Sequence, residues 1–144
     1  SEMKELENLA KINQLKPEAA DAKEFAGMLR AAETKLNDAQ LSGLSEDSQF
    51  LLAYGAAHAL ALAALRWHGY RSDKRYLVFQ CTQHTLNLAQ AKWRVLDKCH
   101  QVRNLAEYEG HLEISPQLLK ELISISQEIL VLVKALAPIT QGKQ

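Results

Sequence analysis

The run Phe50-Leu51-Leu52-Ala53-Tyr54-Gly55-Ala56-Ala57-His58-Ala59-Leu60-Ala61-Leu62-Ala63-Ala64-Leu65 decides the fold of this chain. Only Gly55 and His58 interrupt its apolar character. A helix apolar on every side has no face to give to water, so it belongs in the middle of a packed structure. Alanine stands at 53, 56, 57, 59, 61, 63 and 64, and side chains this small let neighbouring helices approach closely. The run is shorter than the roughly 20 residues needed to cross a bilayer. It reads as the buried central helix of a bundle, not as a membrane anchor.

The flanks supply boundaries. Ser45 is placed to cap the start, with Ser48 three residues on and Glu46 and Asp47 in a first turn whose dipole favours acids. Gly69 suits a stop after Trp67. Upstream, Ala22, Phe25, Leu29, Ala32, Leu36 and Ala39 recur three and four apart, one apolar stripe on one helix face. Pro17 is expected in the first turn of that helix, where its missing N–H costs little, and Gly43 at its end. A short extra helix is expected over 3–13, within an N-terminal segment 1–16.

Downstream, helical periodicity covers 75–109 as one helix or two, and Gly110 closes it. Ser115-Pro116 restarts the chain as N-cap and first helical residue. In the last helix Leu118, Leu122, Ile125, Ile129, Leu132 and Leu136 form one stripe, and Leu119, Ile123, Leu130 and Val133 a second beside it. A face this broad calls for two neighbours, or one neighbour and a second subunit. Pro138 ends the helix, and 138–144 reads as a tail. No alternating strand pattern, repeat or low-complexity segment interrupts this. The fold class is all-α: an up-and-down antiparallel bundle of four or five helices, one domain over 1–144.

Composition narrows the function classes. The 144 residues are 47% hydrophobic and 24% charged, as in a soluble globular domain. Seventeen basic residues balance seventeen acidic ones. That argues against nucleic-acid binding driven by bulk charge and leaves room for a local basic patch. Cys81 and Cys99 form no CxxC pair, so two reduced core thiols are expected, without a disulfide framework or zinc ribbon. No histidine spacing suggests a metal, and no cofactor is expected. No basic-then-apolar leader opens the sequence, and a cytoplasmic location with no membrane contact is the expectation. His58 is expected as a core histidine hydrogen-bonded across helices.

The stretch Asp97-Lys98-Cys99-His100-Gln101-Val102-Arg103-Asn104-Leu105-Ala106-Glu107-Tyr108-Glu109 is unusually polar for a helix. Leu96, Cys99, Val102 and Ala106 still give it an apolar stripe. Residues three and four apart share a face, so His100, Arg103, Asn104, Glu107 and Tyr108 make one contiguous polar surface. The plain reading is a solvated helix side laced by an Arg103–Glu107 pair. The functional reading is a phosphate site: an arginine fork grips phosphate oxygens, Asn104 orients the group, and Tyr108 or His100 donates a proton or hydrogen bond. A second basic stretch, Tyr70-Arg71 with Lys74, Arg75 and Tyr76 close behind, suits base stacking and phosphate contacts; its plain reading is a solvated loop.

Arg103-Asn104-x-x-x-Tyr108 at the end of a long helix resembles the signature of the HEPN family (higher eukaryotes and prokaryotes nucleotide-binding). The segment Tyr54–Leu65 followed by Gly69-Tyr70-Arg71 resembles the second helix and loop of bacterial HEPN-like proteins, and the likeness spans roughly residues 20–135. It implies an up-down helical bundle, usually a homodimer, whose active members are metal-independent ribonucleases. Their motif is an arginine, four to six residues, then a histidine. Arg103 matches the arginine and Asn104 the polar position after it. Tyr108 stands where the histidine would be, and His111 falls outside the window. Members without the histidine bind or scaffold, and others pair with a separate nucleotidyltransferase in toxin–antitoxin fashion. The resemblance implies RNA or nucleotide binding at Arg103 and Tyr108, with Asn104, Glu107, His100, Tyr70 and Arg71 as binding residues. Endoribonuclease activity through Arg103 is the first alternative. The second is a non-catalytic dimeric interaction module.

Overall fold

The computed structural model describes residues 2–140. Its elements in chain order are α1 (Glu2–Lys11), β1 (Lys16–Pro17), α2 (Ala22–Ala39), α3 (Glu46–Trp67), β2 (Tyr70–Arg71), α4 (Arg75–Gln80), α5 (Thr82–Thr85), α6 (Gln90–Glu109) and α7 (Pro116–Lys134). The chain is an all-α bundle, and α2, α3, α6 and α7 are its long members.

Contacts between these four fix their directions. Gln49 donates to the Ala39 carbonyl at one end of the α2–α3 hairpin, and Arg66 reaches Glu24 at the other. Gln127 meets Gln40 and Lys134 meets Glu33, so α7 runs against α2. It runs with α3, because Ser126 donates to the Ala53 carbonyl and the Trp67 indole N–H to that of Ala137. Lys92 pairs with Glu128 at 2.6 Å, so α6 runs against α7. The result is up, down, up, down, as the sequence leads one to expect.

Helix α3 is the axis. Its buried residues include Phe50, Ala53, Tyr54, Ala56, Ala57, Leu60, Ala61, Ala63, Ala64 and Leu65, which point to every side. Helices α2 and α7 pack along it, and α4, α5 and α6 close the remaining side. Polar residues at both ends extend the apolar run to a helix of 22 residues, long and apolar enough by length and composition to cross a membrane. In the fold it is the core helix. The broad face of α7 is taken up within the chain: Leu118, Leu119, Leu122, Ile125, Ile129 and Val133 are buried among α2, α3 and α6.

The local signals for helix ends behave as expected. The Ser45 hydroxyl accepts from the Ser48 N–H at 3.1 Å, and Ser115 does the same for Leu118. Gly110 ends α6 with φ of 83°, a left-handed conformation that a Cβ would strain.

Three boundaries differ. Pro17 lies in β1, paired antiparallel with Tyr70, and α2 begins at Ala22, where Asp21 caps the Glu24 N–H. The reason is Arg66, which takes the Glu18 and Ala19 carbonyls and holds that segment extended. Helix α2 ends at Ala39, and Gly43 instead turns the loop beyond it with φ of 89°. Over 75–109 the second half is one long helix, α6, as expected, but the first half splits into the short α4 and α5, and Asn87, with φ of 53°, breaks the chain before α6. The N-terminal helix is present over Glu2–Lys11 and buries Leu6. Of the expected tail, 141–144 lies outside the described residues.

Candidate functional site

Tyr54 organises the polar surface of α6. It is only 2% exposed, and its ring lies stacked with Phe50 and edge-on to the buried Phe79. Its hydroxyl points out of the core to the His100 Nδ1 at 3.0 Å. The other nitrogen of that imidazole, Nε2, meets the Asn104 side-chain nitrogen at 3.2 Å. Tyr54, His100 and Asn104 thus form one chain from core to surface.

Two arginines share the same ring. The guanidinium carbons of Arg75, from α4, and Arg103, from α6, each lie 5.6 Å from the Tyr54 ring centre, within the range of cation–π attraction. Arg103 also pairs with Glu107 at 3.0 Å across one helical turn; its side chain is 27% exposed and that of Glu107 63%. From the other side, Lys35 of α2 lies across Gly55, its Nζ 3.6 Å from where a Cβ would stand. Among the described residues no carboxylate is ion-paired with Arg75 or Lys35.

The histidines register this excess of positive charge. Burial, followed by the charges of Arg75, His100, Arg103 and Lys35, depresses His58 to about 4. His100 is lowered by burial and by Arg75 and Arg103, against the opposing pull of Asp97. Burial raises Tyr54, while a hydrogen bond from Arg75 and the charges of Arg75 and Arg103 oppose it. Both imidazoles are therefore neutral near pH 7, and the fixed charge comes from Lys35, Arg75 and Arg103. His58 does sit among the helices as expected, but its packing contact is the edge of Phe79.

The other expected residues divide. Arg103 and Glu107 line a shallow cleft of about 460 Å³ with Leu51, Ala106, Gly110, His111 and Leu112. Tyr108 is 91% exposed and stands apart from that cleft. Tyr70 and Arg71 are not brought to Arg103. Arg71 reaches Glu18 at 2.9 Å and Glu24 at 2.5 Å, beside the buried Arg66, which takes the other oxygen of Glu24 at 2.7 Å. Arg66 lies three turns along α3 from Tyr54, roughly 18 Å at 1.5 Å per residue. The charge of Arg71 is already answered there. Burial lifts both Cys81 and Cys99 to about 12, which makes them inert core thiols. Among the described residues no group of three His, Cys, Asp or Glu side chains is placed to hold a metal.

Sequence reasoning missed Tyr54 and Lys35 as members of the site, and it placed Arg75 with the basic stretch at Tyr70 and Arg71 instead of with Arg103. The one available signal was Tyr54 and His58, two polar tips one turn apart in an otherwise apolar run. Compared with models of protein families, with curated proteins and with solved structures, the chain matches none.

Proposed function

We propose that this chain is a HEPN-like bundle protein that binds RNA or a nucleotide through the surface around Tyr54. The observation that carries the reading is the pair of guanidiniums, Arg75 and Arg103, set on one aromatic ring with, among the described residues, one ion-paired carboxylate, Glu107. Partly exposed guanidiniums with few acidic partners are suited to phosphate oxygens, which they grip through parallel N–H bonds. Asn104, held by His100, orients the bound group.

Binding is favoured over cutting. Tyr108, at the position of the motif histidine, stands in solvent, and a phenol is a poor general base at neutral pH. The test is incubation of the purified protein with total RNA beside Arg103→Ala. Retention of uncut RNA that is lost in the variant supports binding. Cleavage by the parent and not by the variant supports the ribonuclease alternative. Equal behaviour of both removes Arg103 from the function.

A homodimer belongs to the same proposal. Leu51, which lines the cleft with Arg103, is more than half exposed, and Leu105 and Tyr108 are exposed together on another side of α6; exposed apolar side chains are surfaces a second copy covers. Light scattering at micromolar concentration tests this, and a monomer there counts against it. A separate nucleotidyltransferase partner also belongs to the proposal, and the identity of the neighbouring gene tests it.

A further inference from the structure

The cationic surface is larger than one phosphodiester requires. Lys35 on α2, Arg75 on α4 and Arg103 on α6 converge on Tyr54 and His58 of α3, with His100 between them. The acids facing this group are Glu107, spent on Arg103, and Asp97, which acts on His100; the Cys99 thiol beneath is protonated. An internal diester carries one negative charge, which a single guanidinium fork can match. A terminal monoester carries nearly two at neutral pH and presents three strong acceptor oxygens, enough for two forks.

We propose that this surface selects a terminal phosphate monoester, the dianionic group of a mononucleotide or of an RNA end, over the internal diester of a strand. The inference rests on the phosphate-binding reading above and names its substrate class. Two guanidiniums set on one ring make the dianion the better-matched ligand, and Lys35 adds a third positive charge at the rim. The two neutral histidines strengthen the preference. Burial and the nearby guanidiniums keep both unprotonated, against the pull of Asp97 on His100; an arriving dianion opposes those positive charges and favours protonation of both. A monoanion does this less.

The experiment compares adenosine 5′-monophosphate with adenosine 3′,5′-cyclic monophosphate, which share base and ribose but differ by one charge. Titration calorimetry at pH 7.5 is expected to show the monoester binding at least ten-fold more tightly. In Arg75→Gln the ratio should fall towards one, and in Arg75→Lys, which keeps the charge, most of it should survive. Circular dichroism confirms that each variant is folded. A second pair, an RNA octamer with a 5′-phosphate and the same octamer with a 5′-hydroxyl, separates the sources. Equal strength of phosphorylated octamer and mononucleotide identifies the free nucleotide as sufficient, whereas a tighter octamer identifies an RNA end, and either supports the proposal. Equal binding within both pairs overturns the selection of monoesters and leaves phosphate binding standing. If no probe binds, phosphate binding and the preference fall together.

Discussion

Two pairs of arginines lie along the same helix and differ in what answers their charge. At the C-terminal end of α3, Arg66 and Arg71 share Glu18 and Glu24, and Arg66 also donates to the Glu18 and Ala19 carbonyls at 2.7 Å. Three turns earlier, Arg75 and Arg103 share a tyrosine ring, and among the described residues Glu107 is the one carboxylate ion-paired with them. The first pair is closed. Every donor it buries has an acceptor, which ties the N-terminal segment to the bundle. The second is open. Its charge is balanced by an aromatic face and by solvent, so an anion can still lower its energy. Arginine on this protein is thus structural where carboxylates converge and available where they do not.

The closed pair carries the largest predicted effect. Arg66 is 2% exposed, and removing it takes the donor from the Glu18 and Ala19 carbonyls and from one oxygen of Glu24, at about 1–3 kcal/mol for each acceptor left unsatisfied. Arg66→Met should lower the urea midpoint accordingly. A loss under about 1 kcal/mol would mean that the network does not tie segment 16–20 to the bundle.

The open pair predicts a pH effect. His58, depressed from 6.5 to about 4, is neutral in both folded and unfolded chains above pH 6.5. As pH falls, the unfolded chain takes up the proton first, and the folded chain follows only near pH 4. Stability is therefore lost across that window, by roughly 2–3 kcal/mol. Urea titrations at pH 7 and pH 4 should show a smaller difference in His58→Gln than in the parent. An unchanged difference would mean that Arg75, Arg103 and burial do not act on His58 as argued.

These two regions also show what the sequence could reveal. The stripes, the Ser45 and Ser115 caps and the Gly110 stop rest on neighbours within a few residues, and each was readable. Pro17 was misplaced because the group that holds its segment, Arg66, acts from 48 residues away on the Glu18 carbonyl. Arg71 looked available because Glu18 and Glu24 lie far upstream in the chain. Tyr54 and His100 are 46 residues apart, so spacing identified the α6 surface but not the tyrosine on which it is built. Arg75 was grouped with the neighbouring Tyr70 and Arg71, and the turn of α4 carries it to the ring instead.

Smaller effects separate the open pair from its surroundings. Arg103→Gln should change stability by under about 1 kcal/mol, since its pair with Glu107 is partly solvated, yet weaken RNA retention about ten-fold. Retention equal to that of the parent would break the account of this surface. Tyr108→Ala should fall within about 0.5 kcal/mol of the parent by urea titration, as exposed side chains generally do. A larger loss would mean that Tyr108 is covered in solution, as a dimer contact would cover it.

The central claim is that the open pair, and not the basic loop, meets the ligand. Fluorescence anisotropy of a labelled RNA octamer tests it with two variants, Arg75→Gln/Arg103→Gln and Arg71→Gln, each checked for folding. The account predicts saturable binding by the parent and by Arg71→Gln, and at least ten-fold weaker binding by the double variant. Loss of binding in Arg71→Gln with retention in the double variant would contradict it.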